Sequence, residues 1–370
     1  MKLISVPVLG ALGACASSGP PPLTELGSLI KNQARMVWEE DFGEAGVGFA
    51  PVVSDSSIWV ANQAGEVVSV DALSGETLRE FDAGRPLAAG PAVDGSSVVV
   101  VDTDGVMHAF DETGKTLWFV DLGAEPLTIP VIQSGQVILR LSNSTVVSYD
   151  VADGKRRWLF AQQNPALVLR QNAAIAVDLS SAYVGMASGR IVALSLSTGA
   201  SRWEARISVP RGANEIERIT DVIGMPSVSG SNICAAAYQG RLTCLDSSDG
   251  ATVWSQDIKA GSGVAVDARQ VVVADISGRV HAYTRSQLAL WEQDGLRGRR
   301  LASPAMIDGK IWIGDAGGVV HVLDAQDGRV IGRVETDGSQ IVSVPSPVYL
   351  QDKLHVIVQT SDGMLAALAA

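Results

Sequence analysis

The stretch Gly65-Glu66-Val67-Val68-Ser69-Val70-Asp71-Ala72-Leu73-Ser74-Gly75 decides the fold, because the chain writes it again and again. It returns as Gly105-Val106-Met107-His108-Ala109-Phe110-Asp111-Glu112-Thr113-Gly114, as Gly240-Arg241-Leu242-Thr243-Cys244-Leu245-Asp246 and as Gly318-Val319-Val320-His321-Val322-Leu323-Asp324. Weaker copies start at Thr145, Gly189, Gly278 and Gly363. Eight copies at a spacing of roughly 40 residues match the period of a propeller blade. The expectation is an all-β chain: one closed eight-bladed β-propeller of four-stranded antiparallel blades.

Each unit reads as four strands. The first opens on Pro, as in Pro51-Val52-Val53 and Pro304-Ala305-Met306, where a missing N–H costs little. The second is a continuous apolar run such as Val98–Val101, expected of a strand covered on both faces. A Gly-containing turn leads to the third strand, which ends on Asp71, Asp111, Asp150, Asp246 or Asp324. An Asp there can take hydrogen bonds from the following turn. The fourth strand carries Trp118, Trp158, Trp203, Trp254 or Trp291, read as wedges between blades. Counting from the Asp puts Leu78 and Ile331 in that slot in two blades. Trp38 has no blade of its own and the last unit stops after three strands, so Met36-Val37-Trp38 is expected to supply the missing strand and close the ring.

A net charge of −12 argues against nucleic acid and against adsorption to an anionic bilayer, both of which need a basic surface. Lys2, an apolar run from Leu3 and Leu12-Gly13-Ala14-Cys15 together read as a lipoprotein leader. Processing would make Cys15 the acylated N-terminus, with Ala16–Pro22 as a Pro-rich tether. Ala16 rather than Asp after the cysteine points to the outer membrane. The expected division is a signal peptide over 1–14, a lipidated flexible tether over 15–33 and the propeller over 34–370.

No zinc-protease, hydrolase, phosphate-loop or Cys-x-x-Cys motif is written in the chain. His108, His281 and His321 share one register in different blades, so they read as scattered strand positions rather than a metal site. No cofactor is expected. Cys234 and Cys244 flank the Gln239-Gly240 turn, either as a disulfide or as two small buried side chains. Spacing departs from the repeat around 160–178 and 205–226, where extra residues enter. The first insertion carries Leu167, Val168, Leu169 and Arg170, a hot-spot composition. Asp221, at the end of the second, can steady Arg170.

The repeat Gly-x-Val-x-Ala-Leu-Asp-x-x-x-Gly-x-x-x-Trp resembles that of pyrroloquinoline-quinone enzymes. Those need adjacent cysteines and axial acidic ligands, and this chain has no Cys-Cys. The leader, the tether and the eight repeats together are similar to the BamB family of outer-membrane lipoproteins. So are the segments Leu167-Val168-Leu169-Arg170, Asn214–Val222 and Arg299–Pro304. The resemblance implies a non-enzymatic scaffold of the Bam complex. Leu167, Leu169, Arg170 and Asp221 would bind the periplasmic POTRA domains of BamA. It also implies contact with other Bam subunits; unfilled strand edges and loops would hold unfolded outer membrane proteins by strand addition. The family has a second acidic residue two positions after the first; here Ile223 stands there. The alternatives are a quinoprotein dehydrogenase and a periplasmic propeller that binds a small ligand.

Overall fold

The computed structural model describes residues 22–29, 32–46, 48–95, 97–162, 174–209, 220–351 and 353–370. The repeat sets the architecture: among these residues the strands form eight antiparallel sheets of four. Blade 1 runs Val52–Ser54, Ser57–Ala61, Glu66–Asp71 and Thr77–Asp82, each strand pairing with the next. Blades 2 to 7 repeat this meander over 87–121, 131–161, 176–206, 222–257, 260–293 and 305–335. Blade 8 takes three strands from 346–369, and its outermost strand is Arg35–Asp41, paired with Met364–Ala369. The chain's two ends thus close the ring, as the orphan Trp38 implied.

Second and third strands form the buried layers; Val98 to Val101 are all fully enclosed. Each third-strand Asp folds back on its turn. Asp71 Oδ1 accepts from Leu73 N and Ser74 N, each at 2.9 Å, and Asp111 and Asp246 accept in the same way. These bonds fix a tight turn without distant partners.

The tryptophans join one blade to the next. Trp158 Nε1 donates to the Leu196 carbonyl at 2.8 Å, and its ring lies flat on the turn glycine of the following blade. A Cβ at Gly199 would sit 2.6 Å from Trp158 Cδ2, so the turn must end in glycine for the ring to dock. Trp118, Trp203, Trp254, Trp291 and Trp38 make the same donation, to Val151, Ser247, Arg285, Ala325 and Ala72. Such a ring supplies apolar area and spends its one polar atom on a carbonyl that would otherwise face apolar surroundings.

Leu78 and Ile331 do not occupy this slot. Strand pairing sets Arg79 opposite Ser69 and Gly332 opposite Val322, where Trp118 stands opposite Ala109. The slip comes from turn length. Asp71-to-Gly75 and Asp324-to-Gly328 are one residue longer than Asp111-to-Gly114, which moves the slot along by one. In blade 1 Phe81 covers Gly114 instead. Blade 7 has no ring on its fourth strand, and its neighbour has no third-to-fourth turn to receive one.

The N-terminal segment fills that place. Ala34 packs on Gly332, Asn32 exchanges hydrogen bonds with the Arg333 backbone, and Gln33 N donates to Ile331 O. Further upstream, Arg299 Nη1 donates to Thr24 O at 3.0 Å and Arg333 Nη1 to Gly27 O, with Leu26 against the core of blades 6 and 7. Residues 22–29 and 32–33, expected to be free tether, are therefore a strap laid on blade 7. Among the described residues the only helical element is a 3-10 turn at Ala187–Gly189, and no helix is long and apolar enough to cross a membrane.

Candidate functional site

Strand order assigns the connections to faces. In a four-stranded meander the second-to-third turns and the links from one blade to the next leave from the same side. Both lengthened links, after Arg156–Ala161 and after Ser201–Arg206, therefore rise from one face over blades 3, 4 and 5. Leu167, Leu169 and Arg170 lie outside the described residues, as do 210–219. Cys15 does too.

Asp221 stands where the second link re-enters the disc, and it is buried. Its Oδ1 accepts from Ser188 N of blade 4 at 2.9 Å, and its carbonyl accepts from Tyr238 N of blade 5 at 2.9 Å. Arg140 of blade 3 is also buried and donates to the Gly185 carbonyl at 2.9 Å. Burial lowers the Arg140 guanidinium from its ordinary value, and the Asp221 charge partly offsets this. Asp221 thus ties blade 5 to blade 4, and Arg140 ties blade 3 to blade 4. Ile223, at the family's second acidic position, is enclosed in the core with Cys234 and Trp254. Beside them, Gln162 Nε2 donates to Glu204 Oε2 at 2.7 Å, and Arg190 pairs with Glu204 Oε1 at 3.1 Å.

The axis is a channel of about 590 Å³ lined by the first strands and links of all eight blades. Its walls are mainly Val, Ile and Ala, with hydroxyls from Ser262, Ser303, Ser343 and Ser346 and the Gln340 amide. Calcium takes six to eight oxygens with carboxylates among them. Among the described residues the lining includes no carboxylate, imidazole or thiol. That donor set does not fit the quinone-and-calcium site of the enzyme reading.

The three in-register histidines stand in three different blades, and each has a local partner. Each meets an Asp at the end of its own blade's second strand: His108 with Asp102 at 2.8 Å, His281 with Asp275 at 3.2 Å, His321 with Asp315 at 2.8 Å. The same carboxylates cap the second-to-third turn through their other oxygen, as Asp315 Oδ1 does for Gly317 N and Val319 N. Burial pushes His321 below its ordinary value, because its Nδ1 is enclosed without a partner and cannot take a second proton cheaply. Burial alone would raise Asp315, but bonds from His321 and Arg299 outweigh it and hold the carboxyl low. The spacing Asp-x5-His, repeated in three blades, is the sequence signal for these pairs. Cys234 and Cys244 face each other across neighbouring strands with Cα atoms 4.0 Å apart and are joined in a disulfide.

A family model described as outer membrane protein assembly factor BamB matches residues 63–289. A protein of that name from Bordetella pertussis is 34% identical over 91% of this chain and 87% of its own length. One from Burkholderia pseudomallei is 33% identical over 94% and 92%. The crystal structure of BamB from Moraxella catarrhalis superposes with a TM-score of 0.81 at 27% identity, covering 91% of this chain and all of that one. Quinohemoprotein alcohol dehydrogenase from Comamonas testosteroni shares only the fold, with a TM-score of 0.67 at 15% identity over 91% of this chain and 76% of its own. With the family model covering more than half of its residues and relatives above 30% identity along nine-tenths of it, the chain belongs to the family of outer membrane protein assembly factor BamB.

Proposed function

We propose that this propeller is a non-enzymatic scaffold of the outer-membrane barrel-assembly complex, held at the periplasmic face of the outer membrane by acyl chains on Cys15. It binds the POTRA domains of BamA through Leu167, Leu169 and Arg170, with Asp221 bracing the surface from below, and takes its place beside the other Bam subunits. One observation carries the reading: the two links that break the repeat leave one face of a rigid ring side by side, and buried Asp221 and Arg140 stitch their three blades together. Loops raised on a rigid scaffold are where recognition concentrates. Arg is a side chain that interfaces lean on, and apolar neighbours exclude water around it.

The axis favours no chemistry, because its lining offers no acid or base to move a proton. Unfolded barrel strands are held at the outer wall. There the fourth strand of blade 2, Thr116–Asp121, leaves Leu117 and Phe119 exposed along an unpaired edge. The test is a pull-down of BamA with Leu169→Ala plus Arg170→Ala. Loss of BamA from a variant with unchanged melting temperature is expected; full retention contradicts the assignment. Intact mass of membrane-extracted protein reports the acyl chains on Cys15, and an unmodified cysteine contradicts the anchor.

A further inference from the structure

Between blades 4 and 5, on the face that carries the long links, lies a cleft of about 610 Å³. It opens at the ends of Ser201–Arg206 and Thr252–Asp257 and beside the turn at Gln239-Gly240. In a chain of net charge −12 its rim is unusually cationic, with Arg206, Arg241 and Lys259. Arg241 is spent on Asp257, which it grips through two nitrogens. Arg206 and Lys259 are not spent: among the described residues neither side chain reaches an acceptor.

Arg206 also stands directly opposite Arg190 in the sheet, a like-charge pair that costs stability unless an anion lies near. Glu204 answers Arg190 and leaves Arg206 unanswered. Thr220 adds an independent sign. It is 6% exposed, lines the cleft, and its hydroxyl has no hydrogen-bond partner. A buried hydroxyl left unpaired costs about 1–3 kcal/mol. Val209 supplies an apolar wall and is itself half-exposed.

We propose that this cleft seats an acidic segment of the protein partner. Its carboxylates are taken by Arg206 and Lys259. The inference rests on the reading that this face receives a protein. The volume is far beyond what a single inorganic anion fills, since a water claims about 30 Å³. Mixed cationic and apolar walls suit peptide side chains, and the excess positive charge selects acidic ones. Two exposed cations steer encounter and fade with salt, because screening at about 0.1 M already reaches across 10 Å.

The experiment measures binding of the BamA POTRA domains, and separately of a hexaglutamate peptide, to the full chain and to Arg206→Glu plus Lys259→Glu, at about 50 and 300 mM salt. Expected is roughly tenfold weaker POTRA binding at low salt in the variant, a flattened salt dependence, and hexaglutamate binding confined to the wild type. Arg206→Gln plus Lys259→Gln falls between, which separates loss of charge from misfolding. Wild-type affinity for POTRA in a folded charge-reversed variant overturns the cleft and leaves the scaffold reading standing. If the wild type binds no POTRA domain, that reading fails instead, and hexaglutamate alone decides the cleft. Inorganic phosphate that competes as well as hexaglutamate at equal charge concentration overturns the peptide assignment.

Discussion

Gly199 and Trp158 show how one atom sets an interface. Gly199 has a φ of +68°, and Trp158 presses onto it where a Cβ would stand. Gly199→Ala therefore combines backbone strain with a clash against a ring that cannot step aside. We expect a loss of at least about 2 kcal/mol in urea unfolding, with Trp158→Ala costing about 3–5 kcal/mol. A Gly199→Ala protein as stable as the wild type contradicts the docking. His321 gives a second residue-scale prediction. Burial holds it below its ordinary 6.5, so the unfolded chain takes up the proton first as pH falls. Stability from this group is complete above about 6.5 and is lost as pH falls below it. Asp315 sits below its ordinary 3.8, so its contribution persists through this window and is lost only in stronger acid. His321→Gln is expected to be less stable at pH 7.5 and to show a shallower decline toward pH 5.5. An unchanged slope contradicts a neutral His321.

At the scale of the element, the outermost strand of blade 8 is the closure. Arg35–Asp41 pairs along Met364–Ala369, and Trp38 docks on blade 1. Deleting residues 34–42 removes a strand, a wedge and the cover over Gly332 together. A sharp drop in melting temperature is expected, and an unchanged one contradicts the closure. The disulfide ties two neighbouring strands across a ten-residue separation. A loop this short limits its effect to about 2–3 kcal/mol on the chain-entropy account. Reduction should lower the melting temperature by a few degrees without unfolding the ring; two free thiols at Cys234 and Cys244 in unreduced protein contradict the bond. Element boundaries were legible in the sequence because turn chemistry is local: Asp71 and Gly75 mark their turn without help from elsewhere. The Trp slot in blades 1 and 7 was misplaced because it depends on turn length, and only pairing reveals that. The strap is grouped with the tether in the sequence because it lies between the Pro-rich run Ala16–Pro22 and the first strand of the ring. Its hold comes from Arg299, Arg333 and Gly332, nearly 300 residues away.

For the whole molecule, the ring is a device for holding links still. Eight similar blades pack their second and third strands and their tryptophans against one another, which holds the connections still. The strap brings the chain in at Thr24, beside the link between blades 6 and 7, on the face from which the long links rise over blades 3 to 5. The strap and the two long links thus share one face, well separated around the ring. The candidate site was only half legible. Leu167, Leu169 and Arg170 stood out because they break a period. Arg206 and Thr220 fall within the second departure from the repeat, but nothing in the sequence sets them beside Lys259; that cleft appears only when blades 4 and 5 are set side by side. The most direct measurement is copurification: tagged full-length chain is drawn from detergent-solubilised outer membranes and BamA is quantified in the eluate. The scaffold account predicts near-stoichiometric BamA; a pure, monomeric propeller eluting without it contradicts the account.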